Sequence, residues 1–477
     1  MTKGGTLSLI KVEAAKIMRL AWPISGEEVL SYSQYLVTTA FVGRLGSPVL
    51  SAWFLAKTLI NVTGNSLVWG IISAMETFCG QAFGACHYGL LGVILQRALL
   101  IGSLVATPCA VAWIWADKVL ELLGQNASLA AMAARYIHLW TPTLFLYAAQ
   151  WGCQLFLQAQ GVVLPALGMA VVSLPLTVLF NWLFIVKLGF GLDGAAFATL
   201  VLAVVPLVLM VIYLIWHDRM QPPERRTWLG WSRAAWSGWG HYLHVALPSL
   251  AMICLDWWGN EITIFMSGIL PQPEINVAAM GIAFNTNTLF FMLSFGLAGA
   301  ASTRVSNELG ANHPHRAKLV VEVAVSIAVA FLALGASVLV AVRHQWARVF
   351  TEDEKVVGLV ARLMLPLAAS LFGDGIMTVL AGVLRGAGRQ RLGALVNLIT
   401  IWVVGLPLQV CLAFYLGLGA MGMWLAKLVT SVLQAGTVFW FVARFDWTRE
   451  AARAAVTVAK AHREHSQSCL EPLLPEQ

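Results

Sequence analysis

WGIISAMETFCGQAFGA, residues 69–85, reveals the architecture of the chain, because a related stretch occurs again in its second half. FGLAGAASTRVSNELGA, residues 295–311, repeats its order of aromatic, small and polar residues. Three more matches keep nearly the same spacing, and they pair LQAQG (157–161) with LRGAG (384–388), LGFGLDGAAFATL (188–200) with LGLGAMGMWLAKL (416–428), and Pro23 with Pro248. Four matches in one register indicate that the chain consists of two related halves.

The composition is typical of a protein whose solvent is lipid. Of the 477 residues, 59% are hydrophobic and only 11% are charged, whereas soluble domains carry about 25% charged residues. The seven cysteines form no CxxC pair, so neither a zinc site nor a redox motif is indicated. The net charge of +7 is small for this length, and we expect no metal and no nucleic-acid partner.

Twelve apolar stretches reach or exceed the ~20 residues that a helix needs to cross a bilayer. They are residues 17–40, 48–75, 93–115, 132–156, 163–187, 194–216, 242–268, 275–302, 317–341, 356–382, 391–415 and 418–443. We therefore predict an all-α polytopic membrane protein. Because each half holds six helices, an even number, both halves enter the bilayer in the same direction, which predicts two lobes related by a pseudo-twofold axis.

The basic residues predict the orientation of the chain. If the N-terminus is cytoplasmic, twenty of the thirty Lys and Arg residues lie on the inner side and eight on the outer side, as the positive-inside rule requires. The linker between the halves contains Trp228, Trp231, Trp236 and Trp239. It lies on the inner membrane surface, as interfacial tryptophans favour, or it is a solvated loop. The predicted segments are a cytoplasmic tail (1–16), an N-terminal lobe (17–216), a cytoplasmic linker (217–241), a C-terminal lobe (242–443) and a second cytoplasmic tail (444–477).

Three carboxylates lie inside predicted membrane helices of the second half. Asp256 and Glu261 belong to CLDWWGNEITIF (254–265), and Asp374 belongs to ASLFGDGIMTVL (369–380). A carboxylate at the centre of such a helix costs about 2.5–3.5 kcal/mol and usually faces a cavity. Asp256 and Glu261 are about 140° apart around a helix, so they mark two levels of one cavity, or one of them faces a neighbouring helix.

Other polar residues in the predicted spans allow two interpretations each. Glu27 and Glu28 are functional, or they belong to the first turn of a helix that begins later than residue 17. Glu76 is expected to have a loop role. The polar groups of NVTGNS (61–66) and NTNT (285–288) line the cavity or join helices by hydrogen bonds, and the residues proposed for the cavity are Asn65, Asn285 and Asn287.

Several motifs give the chain a family resemblance. LDWWGNEITIFMSGILP, AASTRVSNELGA, GVLRGAGRQRLGALVN, VVGLPL and INVTG all occur in it, and on them the chain resembles the eukaryotic, plant- or alga-like branch of the multidrug and toxic compound extrusion (MATE) family. The resemblance implies twelve helices in two lobes around a central cleft. The family's Glu-Trp-Trp-x-x-Glu motif starts here with Asp256, and it implies proton-linked roles for Asp256, Glu261 and Asp374.

We therefore expect a monomeric antiporter, not an enzyme, that exports cationic or polar aromatic molecules. The chain lacks a phosphate-binding P-loop, so the proton gradient is its expected energy source, with sodium as the alternative coupling ion. Trp257 either stacks on the substrate or packs against a helix. The other candidate functions are export of organic anions such as citrate or flavonoid conjugates, and lipid flipping, for which Lys57 and Lys427 are the basic residues within spans. The expected membrane is plasma or vacuolar, and Asn126 is a candidate glycosylation site in an outer loop.

Overall fold

Long helices build almost the entire structure. The computed structural model describes residues 3–270, 273–351 and 353–470, and within these ranges it contains helices and turns but no strand. Twelve long helical segments follow one another: α1 Lys3–Gly43, α2 47–84, α3 Tyr88–Leu122, α4 Ala127–Ala159, α5 Leu164–Lys187, α6 Gly191–Met220, α7 Trp239–Ser267, α8 Pro273–Gly310, α9 Pro314–Arg348, α10 Glu354–Gly386, α11 Gln390–Tyr415 and α12 Gly419–Ala443. A further helix, α13, covers Trp447–Leu470.

Eight of the twelve segments are long and apolar enough to cross a membrane by themselves: α3, α5, α6 and α8 to α12. The other four contain more polar residues, and α2 is also interrupted by a π-helical turn at Asn61–Asn65 and by a break before Met75. Each of the twelve corresponds to one predicted stretch. The predicted all-α polytopic fold with twelve helices is confirmed.

The backbone repeats the same turns in the two halves. Left-handed conformations, which side chains disfavour and glycine tolerates, recur at equivalent positions. The pairs, with their φ angles, are Cys86 (61°) and Asn312 (56°), Gly161 (77°) and Gly388 (71°), Gly189 (69°) and Gly417 (66°), and Gly191 (57°) and Gly419 (55°). Their spacing agrees with the register of the sequence matches, so the duplication extends to local structure.

Each half also has a hydrogen bond from a tryptophan of its third helix to a threonine of its second helix. The Trp113 indole of α3 donates to the Thr63 hydroxyl of α2 at 2.8 Å. In the second half, the Trp346 indole of α9 donates to the Thr286 hydroxyl of α8 at 2.9 Å. Within NVTGNS and NTNT, these two threonines therefore join helices, which was one of the two interpretations of the polar runs.

The chain forms two compact units, and neither coincides with a run of six helices. One unit contains the described residues of Met1–Ser25, Ala251–Leu309 and His313–Ala452. The other contains Gly26–Leu250, Gly310–Asn312 and the described residues of Arg453–Gln477. The boundaries predicted from the sequence stay a prediction about membrane topology.

Both predicted tails contain helix, and the predicted linker is shorter than expected. The structure starts α1 at Lys3 and forms α13 within residues 444–477. Helix α6 extends to Met220, so the linker covers residues 221–238. It is docked on α3, because the Gln96 side chain donates to Gly230 O (2.7 Å) and accepts from Ser232 N (2.8 Å).

Candidate functional site

The rotation of α7 about its axis is fixed by its contacts with α11. The Trp402 indole donates to the Leu255 carbonyl at 2.9 Å, and the Thr263 hydroxyl donates to Gln409 Oε1 at 3.0 Å. Between them, a Cβ on Gly259 would lie 2.5 Å from Cγ2 of Ile401. Residues 255, 259 and 263 share one face of a helix, and this face packs on α11. Asp256, one position after Leu255, therefore lies about 100° away from this face around α7.

Close packing of α10 on α12 brings a carboxylate to a lysine. A Cβ on Gly373 would lie 2.5 Å from the backbone carbon of Ser431, so the two helices touch at a glycine. Next to Gly373, the Oδ2 of Asp374 lies 3.2 Å from Nζ of Lys427, which is one helical turn before Ser431. Both side chains are largely removed from solvent, with 20% and 16% of their side-chain surface exposed. The Coulomb attraction between two charges is stronger in such surroundings than at the surface.

Helix α7 completes this group with an amide and a second carboxylate. Lys427 Nζ donates to Asn260 Oδ1 at 3.3 Å, and the Asn260 amide nitrogen donates to the Asp256 carbonyl at 3.0 Å. The Asp256 carboxylate interacts electrostatically with both Lys427 and Asp374. We call Asp256, Asn260, Asp374 and Lys427 the Asp374 cluster. It unites residues of three helices that lie far apart in the sequence.

The Asp374 cluster contains two acids and one base. With all three groups ionised its formal charge is −1, and one bound proton makes it neutral. A low-dielectric environment strengthens the difference between these two states. The cluster can therefore hold either a proton or an organic cation as its counter-charge.

Glu261 lies on a different face of α7 from Asp256 and Asn260. It lies five positions beyond Asp256, about 7.5 Å along the axis and about 140° around it. Asn260, four positions after Asp256, shares the face of the cluster. Of the three predicted proton-linked carboxylates, the described contacts thus unite Asp256 and Asp374, while Glu261 lies on another face of the same helix.

The structure excludes one of the two interpretations of Glu27 and corrects the expectation for Glu76. Glu27 does not lie in the first turn of its helix, because α1 already begins at Lys3. Its carboxylate accepts from Gln154 of α4 at 2.9 Å and from Ser31 at 3.3 Å. Glu76 is not a loop residue, since it is 7% exposed in the helical segment Met75–Gly84.

The four residues predicted to line the cavity do not belong to one unit. Asn65 ends the π-helical turn of α2, whereas Trp257 lies on α7 and Asn285 and Asn287 lie on α8. The side-chain oxygens of Asn65 and Asn287 are buried without a hydrogen-bond partner among the described residues. Both oxygens are acceptors that a polar ligand can use, so the cavity assignment stays a prediction for these side chains.

Sequence reasoning missed Asn260, and it named Lys427 only as a basic residue within a span, without a partner. Lys427 interrupts the apolar run MGMWLAKLVTSVL (421–433), and an intramembrane lysine usually has a counter-charge. That signal identifies a functional candidate, but it does not identify Asp374 as the partner.

Comparisons with known proteins give the site a context. The MatE family model matches residues 23–183 and 248–411. Protein DETOXIFICATION 16 of Arabidopsis thaliana is 38% identical over 453 residues, 94% of this chain and 92% of that protein. Multidrug and toxin extrusion protein 1 of Danio rerio is 32% identical over 94% of this chain and 75% of its own length. The crystal structure of the eukaryotic MATE transporter AtDTX14 superposes with a TM-score of 0.88 at 31% identity, covering 94% of this chain and 100% of that one.

Proposed function

Because this chain belongs to the MatE family of transporters, we propose that it exports organic cations and polar aromatic molecules in exchange for protons. The chain is an integral membrane transporter and not an enzyme. In this proposal the coupling ion is the proton, the substrate is an organic cation or a polar aromatic molecule, and the Asp374 cluster links the two.

The observation that carries the proposal is the net charge of the Asp374 cluster. Two carboxylates share one lysine, since Lys427 pairs with Asp374 and interacts with Asp256. In the deprotonated state the cluster attracts a monovalent cation, and in the singly protonated state that attraction disappears. Proton and substrate therefore compete for the same negative charge, which is the condition for exchange. A substrate that leaves on the acidic side is replaced by a proton there.

The direction of export follows from the proton gradient. The plasma and vacuolar membranes both have an acidic side opposite the cytosol, so protonation on that side releases the substrate. When the cluster opens to the cytosol, it loses the proton and binds substrate again. We propose that both termini are cytoplasmic, as the basic residues of the inner segments favour, and that the transporter acts as a monomer.

Uptake into proteoliposomes with an imposed pH gradient tests the proposal. The probe is radiolabelled tetraethylammonium, and the variants are Asp374→Asn, Asp256→Asn and Glu261→Gln. We expect Asp374→Asn to reduce gradient-driven uptake by about tenfold or more, because the remaining acid is then neutralised by Lys427. A sodium gradient at equal pH serves as the second arm and should drive no uptake.

Glu322→Gln is the matched control. Glu322 pairs with Lys318 on α9, and the two side chains are 60% and 57% exposed, so neutralising this acid should leave uptake unchanged. If Asp374→Asn and Glu261→Gln both retain uptake with its normal pH dependence, proton coupling at these residues is wrong. If only the sodium gradient drives uptake, the coupling ion is sodium.

A further inference from the structure

The linker between α6 and α7 is held in place by buried polar side chains of α6 and α3. The Asp218 carboxylate near the end of α6 accepts from Thr227 N (2.6 Å), Thr227 Oγ1 (3.0 Å) and Trp228 N (3.0 Å). From α3, Arg97 donates to a linker carbonyl at 3.2 Å, next to the two bonds of Gln96. Asp218, Gln96 and Arg97 are all buried. The polar backbone of the linker therefore bonds to the protein.

The large apolar side chains of the linker, by contrast, are exposed. Trp231 is 77% exposed, and Leu229 and Trp236 are each 68% exposed. The small side chains of Ala234 and Ala235 are buried instead. A loop that lies in water usually buries its large apolar side chains and leaves polar groups outside. This linker does the opposite, as expected of a segment whose outer side lies in a membrane interface.

Contacts with α3 place the linker at the level where this helix enters the bilayer. The apolar stretch of α3 begins at residue 93. A Cβ on Gly89, before that point, would lie 3.0 Å from Cδ1 of Leu229, and Gln96, after it, bonds to the linker backbone. Positions 89 and 96 are about 10 Å apart along a helix, and the headgroup layer of one leaflet is about 5–7 Å thick. The linker therefore lies at headgroup depth.

The same stretch carries a positive charge. Arg219, Arg225, Arg226 and Arg233 are exposed, and Glu224 is exposed among them, so the formal charge of these five residues is +3. Within residues 3–270, 273–351 and 353–470, none of the four arginines forms an ion pair. A guanidinium group binds two oxygens of a phosphate at once, so these side chains are available to phosphate groups.

We propose that Arg225, Arg226, Leu229, Trp231 and Trp236, which we call the linker surface, bind anionic phospholipids. The guanidinium groups bind the phosphate of the headgroup, and the indole and leucine side chains contact the glycerol region and the upper part of the acyl chains. A zwitterionic lipid also contains a phosphate, but its ammonium group offsets that charge. The linker surface therefore prefers lipids whose net charge is negative.

A membrane lipid explains the exposed side chains better than a soluble partner does. Free phosphate would satisfy the arginines, but it would leave Trp231 and Trp236 in water. An anionic lipid satisfies both, because its phosphate and its apolar part lie at neighbouring depths. Anionic lipids are concentrated in the cytoplasmic leaflet, which is the side on which the basic residues place this linker.

This inference goes beyond the proposed proton–cation exchange and does not depend on it. The linker and the Asp374 cluster belong to different units of the chain. Lipid binding to the purified protein needs no ion gradient, no substrate and no known orientation. Failure of lipid binding and failure of proton coupling at Asp374 are therefore observed in different experiments.

Native mass spectrometry of the purified full-length protein in detergent tests the proposal. The probes are dioleoylphosphatidate and dioleoylphosphatidylcholine, which have identical acyl chains, and a titration gives a dissociation constant for each. We expect tighter binding of phosphatidate than of phosphatidylcholine. Arg225→Gln/Arg226→Gln should weaken phosphatidate binding by about tenfold or more, equal to about 1.4 kcal/mol. High salt should reduce the preference of the wild-type protein, because it screens exposed charges.

Arg316→Gln/Arg463→Gln is the matched control. Both arginines are exposed and lie outside the linker, on the side that is predicted to be cytoplasmic, and their loss changes the net charge by the same amount. Phosphatidate binding should then change by less than about twofold, since exposed charges act over a short range. Trp231→Ser is a further variant. It keeps the charge and removes an apolar contact, so it should weaken both lipids by a similar factor even if the double arginine variant does not fold.

Four outcomes would overturn the assignment. Equal dissociation constants of the two lipids for the wild-type protein would show that the lipid charge is not recognised. Unchanged phosphatidate binding in correctly folded Arg225→Gln/Arg226→Gln would show that these arginines do not contact the headgroup. An equal loss in the control would assign the effect to the total charge. Displacement of phosphatidate by inorganic phosphate at the same concentration would make the ligand a soluble phosphate.

Discussion

Lys427 controls the charge of the Asp374 cluster. Its ammonium group lies 3.2 Å from Asp374 and 3.3 Å from Asn260. Without Lys427, the carboxylates of Asp256 and Asp374 would repel each other in a low-dielectric environment. Such repulsion between like charges disfavours ionisation. Lys427 thus supplies the positive charge that offsets one of the two carboxylates.

We predict that Lys427→Met shifts the pH profile of tetraethylammonium uptake to more alkaline pH by about one unit or more. The reason is that the cluster without Lys427 would carry a charge of −2 when ionised, so it retains a proton to higher pH. Lys427→Arg keeps the charge and should keep the profile. Lys318→Met, which removes an exposed lysine paired with Glu322 at 3.7 Å, is the control. An unshifted pH profile in Lys427→Met would show that Lys427 does not influence proton binding, which contradicts the prediction.

Several helices of this protein touch at glycines, and these contacts restrict the register of the packed helices. A Cβ on Gly70 of α2 would lie 2.5 Å from the Leu250 Cα of α7. At the equivalent position of the second half, a Cβ on Gly296 of α8 would overlap Ser25 of α1. In both cases the obstacle includes backbone atoms, so a side-chain rearrangement alone gives no room. Because the two contacts lie at equivalent positions of the two halves, the duplication extends to helix packing.

Gly70→Ala should therefore lower stability. Overpacking against backbone costs about 1–3 kcal/mol, more than the ~1 kcal/mol that alanine gains over glycine inside a helix. Gly436→Ala on α12 is the control, because nothing lies within 4 Å of the position that its Cβ would take, and it should be neutral or stabilising. Thermal unfolding in detergent, followed by tryptophan fluorescence, compares the two. Equal melting temperatures would show that α2 and α7 separate without cost.

At the scale of the whole molecule, the charge distribution predicts which loops are cytoplasmic. Cys86 is exposed in the turn between α2 and α3, which the positive-inside rule places on the cytosolic side. Residue 128, at the start of α4, is placed on the outer side and is also exposed. The two positions form a pair for measuring orientation.

In a variant that retains Cys86 as its single cysteine, a membrane-impermeant maleimide should label the protein only after permeabilisation. A second variant, with Cys86 replaced and Ser128→Cys introduced, should be labelled in intact cells that carry the protein in the plasma membrane. If Cys86 is labelled in intact cells and residue 128 only after permeabilisation, the predicted topology is wrong, and the proposed direction of export is wrong with it.

The number and approximate positions of the helices, the duplication and the presence of carboxylates within predicted spans all follow from the sequence alone. These properties depend on local hydrophobicity and on repeated spacing, which a one-dimensional pattern contains. Only the packed structure brings Asp374 to Lys427 and Asn260, sets Lys57 against Trp140 and places Glu27 deep within α1. Such contacts depend on the rotation and depth of each helix, which close packing against glycines and interhelical hydrogen bonds set, and no periodicity along the chain records them.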